Sequence, residues 1–162
     1  MVGDGSYLMM STELVTAVQE RLKVIVVLVQ NHGFASIGAL SESLGSQRFG
    51  TAYRRRSGDG RLDGELLPVD LAANARSLGV EVIEVDGRAA LEKAVATAKA
   101  ADGPVLIHVR TDPLVHAPDS DSWWDVPVSE VAELESTRTA RSAYEEFKQA
   151  QRRYLTPVEG ED

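Results

Sequence analysis

VIVVLV, Val24 to Val29, is a continuous apolar run rich in β-branched side chains. Six such residues without polar alternation fit a strand covered on both faces, as in a parallel sheet flanked by helices. The run is far too short to cross a bilayer. Upstream, Leu8, Leu14, Val15, Val18 and Leu22 recur at helical spacing, which predicts one amphipathic helix over 7–21. Met1-Val2 before it reads as the end of a strand whose first part is missing, and implies a start inside a larger protein or a miscalled start site.

Downstream the alternation continues. Residues 30–64 are rich in glycine and serine, with one short helix over 37–44, and a loop region of that length in a compact domain is functional or mobile. Asp70 is placed to cap a short helix and Gly79 to end it. VEVIEV (80–85) and PVLIHV (104–109) read as strands, and the alanine-rich stretch 88–101 as the helix between them. After the acidic APDSDSWWD, a helix is expected over 128–154 and a frayed acidic tail over 156–162. Residues 1–155 are expected to form one α/β domain of three layers: a mainly parallel sheet between helices, right-handed crossovers, and a truncated first strand.

Composition narrows the function. The chain has 162 residues, 43% of them hydrophobic and 26% charged, which suits a soluble globular protein. It contains no cysteine, so disulfides and thiolate metal sites are excluded. A net charge of −8 disfavours nucleic acid as a partner. No spanning segment or basic leader is evident, so neither a membrane partner nor export is expected and the location is read as cytoplasmic. Arg54-Arg55-Arg56 reads as a solvated loop cluster, with an anion site as the alternative.

Ligands of parallel α/β sheets bind beyond the carboxyl ends of the strands. Two such ends carry GDGS, Gly3 to Ser6, and QNHG, Gln30 to Gly33. One helix joins them, which makes the ends neighbours and brings Asp4 near Asn31. A carboxylate, an amide oxygen and a backbone carbonyl are hard ligands that suit Mg²⁺ shared with substrate phosphates. The glycines admit close backbone approach, and a helix beginning near Ser6 offers amide donors. A second GDG, Gly58 to Gly60, is an internal control: no apolar helix or asparagine-ended strand follows, so Asp59 reads as loop. His32 reads as a packing or solvent-facing residue. His108 alternates within a strand, His116 lies in the acidic loop, and neither has a triad around it. Trp123 and Trp124 read as packing residues.

GDG, an apolar helix, a buried strand and then asparagine resembles the signature of thiamine diphosphate-dependent enzymes, specifically their C-terminal, diphosphate-binding domain. The resemblance implies a thiamine diphosphate-binding fold with Mg²⁺. It matches Asp4 and Asn31 to the side-chain metal ligands, Gly33 to the position lending a backbone carbonyl, and Gly3, Gly5 and Ser6 to positions approaching the diphosphate. The pattern often ends in two asparagines; here Gln30 takes the first place and Asn31 the metal-binding second. QNHGFASIGALSESLGSQRFGTAYR, GRLDGELLPVDLAANARSLGV and SWWDVPVSEV resemble one subgroup, the trihydroxycyclohexanedione hydrolases of myo-inositol catabolism, through about Tyr154.

That resemblance implies a parent enzyme that hydrolyses a carbon–carbon bond in a cyclic 1,2-diketone. It also implies homo-oligomers in which a pyrimidine-binding domain of a neighbouring subunit supplies the activating glutamate. Glu13, Glu20 and Glu42 read as helix surface or loop, so no catalytic residue is expected in this chain, and alone it is expected to be inactive. Its shortened first strand is expected to leave an edge that favours self-association. The alternatives are part of an acetohydroxyacid synthase-like enzyme or decarboxylase, or a noncatalytic Mg²⁺-phosphate binding module.

Overall fold

Every strand pairing in the sheet is parallel. The computed structural model describes residues 1–115 and 123–151. Four strands, β1 (Val2–Gly3), β2 (Ile25–Gln30), β3 (Glu81–Val85) and β4 (Val105–Arg110), lie in the order β1-β2-β4-β3. β1 contributes only two register pairs, Val2 with Leu28 and Gly3 with Val29. The chain divides into two compact units, one of Met1–Ala39 and Arg48–Ala117, the other of Leu40–Gln47 and Pro118–Asp162.

In the first unit the sheet carries helices on both faces, which explains why β2 is apolar from Ile25 to Val29. Val26, Leu28, Val82 and Leu106 pack on Tyr7, Leu14, Leu71 and Ala75. These come from α1 (Asp4–Met10), α2 (Glu13–Gln19) and α4 (Leu71–Ser77). Ile25, Val27, Ile83 and Ile107 face the other way, onto Ala94 and Ala98 of α5 (Arg88–Ala100). Leu28, Leu106 and Ile107 are fully buried, and each contributes about 1.5–3 kcal/mol of transfer free energy. Asp70 Oδ1 accepts from the Ala73 N–H at 2.8 Å, capping α4, and Gly79 follows it at φ 86°.

The expected single helix over 7–21 is two. α1 begins at Asp4, earlier than the sequence suggested, and breaks at Ser11–Thr12 before α2. Across the break, the Leu14 and Val15 amides bond to the Ser11 and Thr12 carbonyls three residues back. Serine and threonine weaken helix interiors by competing for backbone groups. The buried stripe is Tyr7, Leu14 and Ala17, whereas Leu8, Val15 and Leu22 are exposed. Of the five residues read as one face, Leu14 is buried and Val18 packs against the core, while Leu8 and Val15 lie one position beyond Tyr7 and Leu14 with the same seven-residue spacing, so periodicity alone could not separate them.

After α3 (Ala35–Ser43), the glycine-rich stretch is partly ordered as an antiparallel ribbon. Leu67 N–H bonds to Tyr53 O and Arg55 N–H to Glu65 O, and the reversal runs from Ser57 to Arg61.

In the second unit, α6 (Glu135–Ala150) starts seven residues later than expected. Arginines of the helix take the carbonyls that helix amides would otherwise bond: Arg138 donates to Ala132 O and Glu133 O, and Arg141 to Val128 O. Gly45 O accepts from Ser136 Oγ (2.7 Å) and Thr137 Oγ1 (2.9 Å), tying down the start of α6. Trp123 stacks on Phe147, with centroids 5.9 Å apart, and lies beside Tyr144. Asp125 bonds Tyr144 Oη and Lys148 Nζ, so the Trp-Trp-Asp segment is stitched to one helix face. Trp124 is exposed. His116, the end of the expected last helix and the acidic tail 156–162 lie outside the described residues.

Candidate functional site

Asp4 follows β1 directly and is 1% exposed. Gly3 lies beside Val29 in the register, so the chain leaves β1 and β2 at the same level of the sheet. This brings residues far apart in sequence into contact. Asp4 Oδ2 accepts from the Gly33 N–H at 2.9 Å, across 29 residues, and Oδ1 lies 3.2 Å from the Gly5 nitrogen. One end of the Asn31 amide lies 3.2 Å from Asp4 Oδ1 and 3.0 Å from the Gly33 carbonyl oxygen. With its nitrogen there, Asn31 donates to both oxygens. With its oxygen there, three oxygens converge.

Those spacings fit a metal ion. Mg²⁺ holds oxygens at about 2.1 Å in an octahedron, which puts adjacent ligands about 3 Å apart. A carboxylate, an amide oxygen and a carbonyl make a hard donor set that leaves octahedral positions for phosphate and water. Among the described residues no cluster of three or more histidine, aspartate or glutamate side chains offers a competing site.

The glycines differ in what they admit. A Cβ on Gly33 would run into the Thr51 carbonyl oxygen and sit 2.7 Å from Ala52 Cα, while one on Gly5 would strike the Phe34 ring. At Gly3 a Cβ would meet nothing within 4 Å, so the surrounding space is open to a ligand rather than filled by the chain. Ser6 is exposed in the first turn of α1 and lines an apolar groove of about 360 Å³ with Val2, Tyr7 and Met10.

A polar relay runs from the sheet into this loop. His108 is buried on β4, and its Nε2 lies 2.7 Å from Gln30 Oε1; Gln30 Nε2 lies 3.3 Å from His32 Nδ1. Burial, then the Arg110 charge, pushes the His108 pKa down against the pull of Glu84 and Asp70. His32 has φ 62° and packs edge-on to Tyr53, with centroids 5.4 Å apart. Burial, then the Asp4 charge, pushes the Tyr53 hydroxyl up to about 12. The sequence reading gave His32 no polar task. The signal available was its place between Asn31 and Gly33.

The second GDG is a turn, as its context implied. Gly60 N–H bonds to Ser57 O, and Asp59 Oδ1 accepts from Ser57 Oγ at 2.6 Å. Asp59 is exposed, far from the burial that Asp4 shows. Arg54 and Arg56 brace the same turn by donating to Gly64 O and Gly60 O.

Residues 1–109 match the family model described as the thiamine pyrophosphate enzyme C-terminal TPP binding domain. The chain belongs to this family. Its cofactor is thiamine diphosphate. Of the curated relatives, the 3D-(3,5/4)-trihydroxycyclohexane-1,2-dione hydrolase of Clostridium perfringens strain 13 is 36% identical over 154 residues, covering 95% of this chain and 24% of the relative. The protein of the same name from Bacillus cereus strain AH820 is 39% identical over 141 residues, covering 86% and 22%. This chain therefore spans about a quarter of their length. Among solved structures, the thiamine diphosphate-dependent 4-hydroxybenzoylformate decarboxylase of Rhodococcus jostii RHA1 superposes with a TM-score of 0.53 at 27% identity, over 68% of this chain and 19% of that one. Benzoylformate decarboxylase of Polynucleobacter necessarius shares the fold, with a TM-score of 0.53 at 22% identity, over 71% and 19%. The domain assignment read from GDG and Asn31 agrees with the family, and the subgroup read from the flanking segments agrees with the curated names. Among the described residues no helix is long and apolar enough to cross a membrane.

Proposed function

We propose that this chain is the metal- and diphosphate-binding part of a thiamine diphosphate-dependent hydrolase that opens the ring of a cyclic 1,2-diketone of the trihydroxycyclohexanedione type. The observation that carries the reading is the convergence of Asp4, Asn31 and the Gly33 carbonyl at spacings of 3.0–3.2 Å. In this reading Asp4 and Asn31 present side-chain oxygens to Mg²⁺ and Gly33 its carbonyl. The backbone at Gly3 and Gly5 and the Ser6 hydroxyl approach the diphosphate. When bound, the cofactor supplies the carbanion-stabilising chemistry of carbon–carbon cleavage. The residues of this chain anchor its anionic end and neutralise charge.

Among the described residues, none takes the activating role in this reading. We assign that role to a pyrimidine-binding domain of a neighbouring subunit, in a cytoplasmic homo-oligomer, so the 162-residue chain alone is inactive. Overall cleavage consumes one water: a hydroxyl goes to the carbon that becomes the carboxylate and a proton to the other.

Titration calorimetry of thiamine diphosphate tests the reading. Binding is expected with Mg²⁺ and not in EDTA, because an acidic chain repels a polyanion unless an ion bridges them. Asp4→Ala abolishes binding, while Asp59→Ala leaves it unchanged. Equal binding with and without the metal refutes the bridge. For the parent enzyme, ring-opened acid is the expected product from the diketone; acetolactate from pyruvate as the main product refutes the substrate class alone.

A further inference from the structure

Three polar side chains beside the site have no task in that reading: Gln30, His32 and His108. With the Gln30 amide placed as it is, oxygen toward His108 and nitrogen toward His32, their hydrogen bonds run in one direction. Gln30 Oε1 is an acceptor only, so His108 Nε2, 2.7 Å away, carries a proton. Gln30 Nε2 is a donor only, so His32 Nδ1, 3.3 Å away, accepts. A neutral His32 ring then carries its proton on Nε2. That Nε2 is buried and has no partner among the described residues, and the Tyr53 hydroxyl beside it is in the same condition. Buried donors in native structures have acceptors, so this N–H is built for one that arrives from outside.

We propose that His32 is a further donor of this site, its Nε2–H held for an acceptor oxygen of the bound diphosphate, with Gln30 and His108 as the positioning residues that fix its tautomer. The proposal rests on the Asp4–Asn31–Gly33 reading. His32 stands between two of those residues, and its own carbonyl is tied to the Tyr53 amide at 3.0 Å. It holds a left-handed backbone at φ 62°, unusual for a residue with a side chain and concentrated at functional sites. The chemistry suits the acceptor. A buried aspartate already repels an incoming anion, and a neutral N–H aimed at a charged oxygen makes a stronger bond than one between neutral groups.

The test uses residues 1–162 with ¹⁵N-labelled histidine. Long-range ¹H–¹⁵N spectra are expected to show His32 with Nε2 protonated and Nδ1 bare. Adding thiamine diphosphate with Mg²⁺ shifts the His32 Nε2 resonance and leaves His108 in place. By calorimetry at saturating Mg²⁺, His32→Leu weakens thiamine diphosphate binding about tenfold. His32→Gln, which returns an amide N–H near the Nε2 position, stays within about twofold of the wild type. Both variants carry the same backbone strain, so the difference reports the donor. An Nδ1–H tautomer, a silent Nε2 resonance on binding, or equal affinities for the Leu and Gln variants overturns the proposal. If the wild type itself does not bind with Mg²⁺, the metal reading fails and this one with it; if the wild type binds and the Leu variant matches it, only the role of His32 fails.

Discussion

Asn31→Asp separates a metal site from an ordinary hydrogen-bonded loop, because the two readings predict opposite responses to Mg²⁺. Without metal, the Asn31 amide can donate to Asp4 Oδ1 at 3.2 Å and to Gly33 O at 3.0 Å. The aspartate replaces that donor with a charge. Two carboxylates 3.2 Å apart repel by about 5 kcal/mol at an effective dielectric of 20. The pair has a cheaper escape: binding one proton at pH 7 against an ordinary pKa near 3.9 costs about 4 kcal/mol. Asn31→Asp should therefore destabilise the metal-free chain by about 3–4 kcal/mol at pH 7, and by only about 1.5 kcal/mol at pH 5, where the proton is easier to bind. An ion between the two carboxylates removes the penalty. Urea denaturation in EDTA and in Mg²⁺, at both pH values, is the assay. The wild type at 100 times its dissociation constant gains about 2.7 kcal/mol from the ion. The variant should gain more than the wild type. A variant destabilised equally with and without Mg²⁺ would refute the site.

Gly33→Ala pushes a Cβ against Thr51 O and Ala52 Cα, where backbone cannot yield, so it should cost about 2–3 kcal/mol and lower Tm by roughly 5–10 °C in a thermal melt. Gly3→Ala meets open space and should leave stability within about 0.5 kcal/mol while weakening thiamine diphosphate binding in calorimetry. His108 has a folded pKa below its unfolded value near 6.5, so the unfolded chain binds the proton first. Stability should be full above pH 6.5 and fall as pH drops toward the folded pKa, a window above that of the depressed Glu84 and Asp125 carboxyls. Urea midpoints between pH 7 and 5.5 should show this slope in the wild type and not in His108→Gln.

The layers and the meeting of Asp4 with the Asn31–Gly33 loop were legible in the sequence because each rests on a local signal. Val24 to Val29 has one reading as a strand covered on both faces, and GDG with Asn31 has one spatial consequence once the ends of β1 and β2 are neighbours. What escaped the sequence depends on packing direction. The stripe of Leu8, Val15 and Leu22 has the same period as that of Tyr7 and Leu14, and only the placement of α1 against the sheet decides which is buried. The start of α6 was missed because side chains later in the helix, Arg138 and Arg141, capture the carbonyls before it. The polar contacts of His32 were missed because they run through Gln30 to His108, 78 residues beyond Gln30.

The bond from Asp4 to Gly33 gives the site a second consequence. The Asp4–Gly33 bond closes the whole crossover of 29 residues just beyond the pairing of β1 with β2. A permanent tie closing a loop of that size restricts the unfolded chain by about 3.6 kcal/mol in the chain-entropy account. In the proposed reading, an ion gripped by Asp4, Asn31 and Gly33 would be such a tie, made and broken reversibly. Filling the centre and fastening the rim of the sheet then become one event. Fraying of β1 and release of the ion become its reverse, so the protein is most firmly knit when it is loaded.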